Sequence, residues 1–298
     1  MKKILPTLSI ILAGVLWGCL SLFLRPLSNY GLDGMQIALI KIVYATIIFV
    51  IIVLIVNPKL FKFKLKDIWI FLCAGIICLS LFSFLYFQTL IHSEVSVAVV
   101  LLYTSPIFVL ICSTIIFKEK ITFKKILAII FTVLGCIFVS GLINGVTVIT
   151  PMVLLTGLLS GLTFGLQSIF QKVAIEKNYN TLTINVWTFI IGSIFILPFA
   201  RIKDTITIIK ANPIVLLLGF GLALVNAVLP YLLFTWGLKS VEPSKASILV
   251  ATEPMVASII GMCIFKESHD IFKILGVIFI IVAIVLMNIQ SKKQISCK

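Results

Sequence analysis

Ten apolar runs, each about the length needed to cross a bilayer, take up most of the chain. They lie near 4–24, 34–56, 68–90, 95–117, 124–143, 151–172, 181–200, 213–237, 244–265 and 271–290. A membrane-spanning helix needs about 20 mostly apolar residues. What remains of the 298 residues is nine short connections and two small tails, with no room for a soluble domain. Composition agrees: 61% of residues are hydrophobic, 11% are charged, and the mean hydropathy is +1.26. No soluble fold of this size hides so much apolar surface, which excludes a soluble enzyme, a disordered chain and a collagen-like fibre. The first run follows Lys2 and Lys3 as a signal peptide would, but it is too long and lacks a cleavage motif, so it reads as a retained span. The fold class implied is an all-α integral membrane protein of ten transmembrane helices.

The formal charge of +14 would point to nucleic acid in a soluble protein. Here the basic residues cluster between apolar runs, and they give an orientation. With the N-terminus in the cytoplasm, 17 of the 24 Lys and Arg fall in cytoplasmic segments, including Lys59, Lys62, Lys64, Lys66 and Lys118, Lys120, Lys124, Lys125. Six fall outside (Arg25, Arg201, Lys203, Lys210, Lys266 and Lys273), and Lys41 lies within a span. The bias places both termini inside and implies the plasma membrane, with the bilayer rather than nucleic acid as partner. The seven cysteines form no C-x-x-C pair, and His92 and His269 have no paired ligands, so no metal or cofactor is implied.

The chain repeats itself. At an offset of 148, Glu94 matches Glu242, Ser96 matches Ser244, Thr104 matches Thr252 and Pro106 matches Pro254. Phe117-Lys118-Glu119 recurs as Phe265-Lys266-Glu267, and Lys125-Ile126-Leu127 as Lys273-Ile274-Leu275. At an offset of 147, Gly14 and Gly18 match Gly161 and Gly165. Two repeats follow, 1–145 and 146–298, with five spans each. Five is odd, so the second repeat enters the membrane the other way up. Inverted-topology repeats are a transporter architecture, in which one half rocks against the other around a site near the midplane.

Within the spans, a small polar minority stands out. Gly14-x-x-x-Gly18 and Gly157-x-x-x-Gly161-x-x-x-Gly165 form stripes on which backbones approach closely, either as fixed packing or as sliding faces. Pro106, Pro230 and Pro254 read as mid-helix prolines that free the carbonyls of Leu102, Asn226 and Val250, as fixed bends or as hinges. Glu253 sits at the middle of the ninth run and Lys41 about seven residues into the second. A charge at the bilayer centre costs about 3 kcal/mol, so both are site candidates. Three roles stand open for Glu253: binding a substrate amine, carrying a proton, or pairing with Lys41. Lys41 has the alternative of snorkelling outward. Trp17, Gln88, Tyr103, Thr104, Gln167, Asn226 and Tyr231 are polar or aromatic groups expected to face the bundle interior, as cavity lining or as packing. Trp187 and Trp236 also fit an interfacial belt.

As a set, these residues resemble the drug/metabolite transporter superfamily, specifically its EamA-type ten-span carriers. The resemblance rests on Gly14-Val15-Leu16-Trp17-Gly18, Lys41, Tyr103-Thr104-Ser105-Pro106 with Phe117-Lys118-Glu119, and Glu253-Pro254 with Phe265-Lys266-Glu267. It covers essentially the whole chain, once per half. The family typically has Arg where Lys41 stands, and Lys lacks that planar fork. The resemblance implies a ten-helix inverted-repeat bundle around a central cavity. It also implies a small organic solute as substrate, most often exported: amino acids, other metabolites or toxic compounds. Some relatives in the superfamily instead exchange nucleotide sugars or sugar phosphates.

The reading that follows is a secondary transporter working by alternating access, with protons as a coupling partner. An intramembrane enzyme lacks its usual motifs here, since Glu253 is the one acidic residue at depth. A passive pore or an assembly factor is the remaining alternative.

Overall fold

The structure is a computed structural model that describes residues 4–142, 149–266 and 271–288. Lys2, Lys3, Glu267, His269, Lys292, Lys293, Cys297 and Lys298 lie outside the described residues, as do the ends of the fifth and tenth runs read to 143 and 290. Among the described residues, ten helices are long and apolar enough to cross a membrane. They are α1 (Ile4–Asn29), α2 (Gly34–Val56), α3 (Leu65–His92), α4 (Val95–Phe117), α5 (Phe123–Ser140), α6 (Pro151–Glu176), α7 (Thr181–Phe199), α8 (Ile214–Gly237), α9 (Pro243–Cys263) and α10 (Ile271–Asn288). A short helix, Ile202–Ala211, joins α7 to α8. The chain is a multi-pass membrane protein built as two inverted five-helix repeats.

The ends of the spans are set by local polar chemistry. Asp33 and Gln36 cap the start of α2 reciprocally: each side chain accepts the other's backbone N–H at 2.9 Å. Thr122, Thr150 and Asn180 each accept a backbone N–H at the starts of α5, α6 and α7. The Phe-Lys step shared by the two repeats falls at a helix end in both. Lys118 and Lys266 both adopt a left-handed conformation at φ 54°, and the Glu119 N–H returns to Ser113 O. A lysine is strained there, so Lys118→Gly is expected to stabilise the fold by roughly 1 kcal/mol and so raise the unfolding midpoint slightly. Thermal unfolding in detergent reads this; a lowered midpoint would contradict the strain.

Two kinds of irregularity recur at matching places in the repeats. The third span of each contains wide π turns, at Cys73–Leu81 in α3 and Leu224–Val228 in α8. The fourth span of each is broken near its middle. In α4 the break falls at Tyr103 and Thr104, and in α9 at Val250 and Ala251. The break corrects one expectation. Pro230 stays inside the continuous α8, just past its π turn, but Pro106 and Pro254 are not mid-helix residues; each lies in the first turn of the helical segment that follows a break. First-turn N–H groups have no intrahelical partner, so proline removes nothing there. The carbonyl of Val250, expected to be freed, accepts the Glu253 N–H at 2.8 Å.

The glycine stripes explain how the halves meet. A Cβ on Gly14 would lie 2.0 Å from Thr252 Oγ1, and one on Gly18 would lie 2.7 Å from Glu253 O. In the other half, a Cβ on Gly161 would lie 2.8 Å from Leu101 O, and one on Gly165 would lie 2.8 Å from Val109 Cγ2. Thus α1 of the first half packs on the break of α9, and α6 of the second half packs on the break of α4. Each broken helix is cradled by the other repeat. The tightest remaining crossing joins α5 to α10, where Gly135 and Gly276 bring the backbones together.

Candidate functional site

Where the halves meet, they enclose a cavity of about 160 Å³. On α2, Gly34, Ile37, Ala38 and Lys41 line it, spaced three and four apart so that they share one helix face. On α3, Phe82, Ser83, Tyr86, Phe87 and Leu90 do the same. Because Gly34 and Leu90 lie at the ends of their spans, the cavity reaches the membrane face that carries the turns after α1 and α3. The opposite face carries Lys59, Lys62, Lys64, Lys118 and Lys120 and is called the lysine-rich face below. Lys41 sits two helical turns below the mouth, a depth of about 10 Å.

The inner end of the cavity holds the two charged residues. Lys41 and Glu253 both line it without forming a direct ion pair; Lys41 Nζ lies 3.5 Å from Asn226 Oδ1 instead. Asn226 ties three spans together, since its Nδ2 donates to Trp17 O at 3.0 Å. The π turn containing Asn226 turns this amide toward both partners. Glu253 is placed by the α9 break, in the first turn of the segment that begins at Thr252. The side chain of Tyr103, at the matching break in α4, interacts with the Glu253 carboxyl. Neither Tyr103 Oη nor Glu253 Oε2 has a well-formed hydrogen-bond partner, although both are buried. Buried polar atoms without partners are uncommon and mark places where a ligand or water is to be met.

Below Lys41 and Glu253, an aromatic floor closes the cavity toward the lysine-rich face. The Trp17 ring lies 6.5 Å from Phe164, 5.7 Å from Tyr231 and 5.4 Å from Phe234 between centroids. Beneath this floor is a void of only about 20 Å³, bordered by Gln167, Ser168 and Ser247. Tyr231 Oη donates to Gln167 Oε1 at 3.1 Å, which braces the floor.

The structure therefore brings together Trp17, Lys41, Tyr103, Asn226, Tyr231 and Glu253, with Gln167 just beneath. It leaves two of the expected lining residues elsewhere. Thr104 Oγ1 donates to Leu101 O at 2.6 Å within the α4 break and packs against Gly161. Gln88 is outside the cavity wall, and its carbonyl is 2.9 Å from His92 Nδ1. The aromatic wall of α3 was not anticipated, though the spacing of Phe82, Tyr86 and Leu90 carries the signal.

A second cluster was also unanticipated. On the lysine-rich face, Lys125 Nζ bridges Glu119 Oε2 and Glu242 Oε2 at 2.8 Å each. Ser244 Oγ donates to the same Glu119 oxygen. Lys125 and Glu119 belong to the first half, Glu242 and Ser244 to the second. The lysine and Glu119 side chains are only 7% and 5% exposed, against 62% for Glu242. This knot ties the two halves together on the face opposite the cavity mouth.

Asn226→Leu is expected to remove both the Lys41 acceptor and the donor to Trp17 O, costing about 1–3 kcal/mol. An unchanged unfolding midpoint for the purified variant would show that the bridge contributes nothing.

Comparison with known proteins fits this architecture. The EamA-like transporter family matches the chain twice, over residues 5–141 and 151–289. An uncharacterized transporter of Archaeoglobus fulgidus is 26% identical over 286 residues, covering 90% of each chain. The uncharacterized inner membrane transporter YicL of Salmonella typhimurium is 21% identical over 291 residues, covering 96% of each. One crystal structure superposes with a TM-score of 0.78 over 98% of this chain and 99% of its own, at 12% identity, and so shares the fold. Matched in both halves and over nearly its whole length, the chain belongs to the EamA-like transporter family, a family of membrane transporters and not of enzymes.

Proposed function

We propose that the protein carries a small organic solute across the plasma membrane by alternating access, outward and in exchange for protons. The lysine-rich face is then cytoplasmic, following the positive-inside bias, with both termini inside. The observation that carries this reading is the single cavity holding Lys41 and Glu253, which reaches one face and is closed toward the other by residues from both halves. Such a cavity, at the interface of inverted repeats, is shaped for one site exposed to each face in turn. A carboxylate and an ammonium group side by side suit a zwitterionic or cationic solute. They disfavour a doubly charged phosphate, which Glu253 would repel, and so weigh against the exchange of phosphorylated metabolites.

The export direction rests on a competition. The Glu253 carboxylate cannot hold a proton and a solute ammonium group together. Each crossing therefore exchanges one for the other, and an inward proton gradient drives solute out. The residues with proposed roles are Glu253 as the shared site, Lys41 for the opposite charge of the solute, and Trp17, Tyr103 and Tyr231 as walls. Gln167 and Asn226 hold those walls, while Pro106, Pro230 and Pro254 with Gly14, Gly18, Gly161 and Gly165 shape the moving faces.

The test is uptake into proteoliposomes of a panel of radiolabelled amino acids, amines and phosphorylated metabolites. Saturable uptake that rises when the same solute is loaded inside is expected for a zwitterion or cation. Uptake that never saturates would indicate a pore, and no uptake for any solute would favour an assembly role.

A further inference from the structure

The knot on the lysine-rich face has a mirror image written into the sequence. Lys125 is the third residue of α5, and Lys273 is the third residue of α10. Glu242 immediately precedes α9, as Glu94 immediately precedes α4. Ser244 matches Ser96 at the same offset of 148. The inverted repeat carries the first set to the lysine-rich face and the second to the face with the cavity mouth. In the described conformation Lys125 and Glu242 join the halves at 2.8 Å. Glu94 is exposed, and its Oε2 accepts from Ser96 Oγ at 3.2 Å.

We propose that Glu94 and Lys273 form the mirror-related ion pair, which closes the cavity mouth when the site turns to the lysine-rich face. The proposal rests on the alternating-access reading. If the two halves exchange conformations, every contact between them is replaced by its symmetry mate. The Lys125–Glu242 contact then becomes Lys273–Glu94. Carboxylate and ammonium are retained at both places, so the same pairing chemistry is available at either face. One knot opens as the other forms, and the two conformations compete through a small set of charges rather than through repacking of the spans.

The test uses the full chain in membrane vesicles oriented with the mouth outside. The native cysteines other than the buried Cys78 and Cys136 are replaced by serine, and Ser83 in the cavity wall is replaced by cysteine. The readout is the rate at which a membrane-impermeant maleimide labels position 83. Glu242→Gln removes the partner of Lys125 across the halves and is expected to slow labelling by about two- to fivefold, because the conformation closed at the mouth gains population. Adding Glu94→Gln or Lys273→Gln is expected to restore the rate, the two together no more than either alone. The swap of Glu94→Lys with Lys273→Glu is expected to keep the slow rate, since it rebuilds the pair with reversed signs. This swap also separates pairing from any loss of folding in a single variant. Labelling that Glu242→Gln slows, but that changes at 94 and 273 leave unaltered, overturns the mirror pair alone. Labelling that ignores Glu242→Gln overturns the competition between the two knots and the mirror pair with it, whereas failure of alternating access itself is read from uptake that never saturates in the transport assay.

Discussion

Replacing Lys125 with methionine is expected to lower the unfolding midpoint in detergent by roughly 5 °C or more. The lysine is almost fully buried between Glu119 and Glu242. Methionine matches its stem in length but leaves the Glu119 carboxylate buried, with Ser244 as its remaining donor. Breaking a buried pair on one side costs about 3–5 kcal/mol, because the abandoned charge stays out of water. Removing both charges is far milder. Lys125→Met with Glu119→Gln is therefore expected to recover most of the loss. A single variant as stable as the parent would show that the knot is a surface pair of little worth.

Gly161→Val is also expected to destabilise the fold, for a steric reason. A Cβ there would sit 2.8 Å from Leu101 O, 2.9 Å from Thr104 Oγ1 and 3.1 Å from Leu102 O. Two of these are backbone atoms of the α4 break, which cannot rotate away. Forcing them apart costs about 1–3 kcal/mol by overpacking and moves Tyr103, which the break presents to Glu253. Gly221→Ala makes a useful contrast, because its new Cβ would meet the edge of the Phe23 ring at 2.8 Å, and a ring can turn. The midpoint of Gly161→Val is expected to fall well below that of Gly221→Ala. Equal midpoints would remove the special role of the break.

Much of this architecture is legible in the chain, because its strongest signals are local. Apolar runs of fixed length give the spans, and an odd count per repeat gives the inversion. Glu253 and Lys41 stand out because charge at depth is expensive, and both line the cavity. What sequence conceals is the relation between segments. Spacing alone reads Pro254 as mid-helix, since nothing local announces the break two residues before Thr252. Thr104 and Gln88 are polar residues within spans, but one satisfies its own helix break and the other lies off the cavity face. The Lys125 knot is hidden for another reason. Its two sides lie more than 100 residues apart in the sequence, and each charge alone passes for an interfacial one.

The central claim is that Glu253 is shared in turn by a proton and a solute. The most direct measurement is solute efflux from proteoliposomes loaded with a transported solute, with and without an inward proton gradient, for the parent and Glu253→Gln. The parent is expected to respond to the gradient with faster efflux. Glu253→Gln keeps the shape of the site but can neither release a proton nor attract an ammonium group, and its gradient-driven efflux is expected to fall at least about tenfold. Efflux in Glu253→Gln that follows the proton gradient as the parent does would contradict the claim.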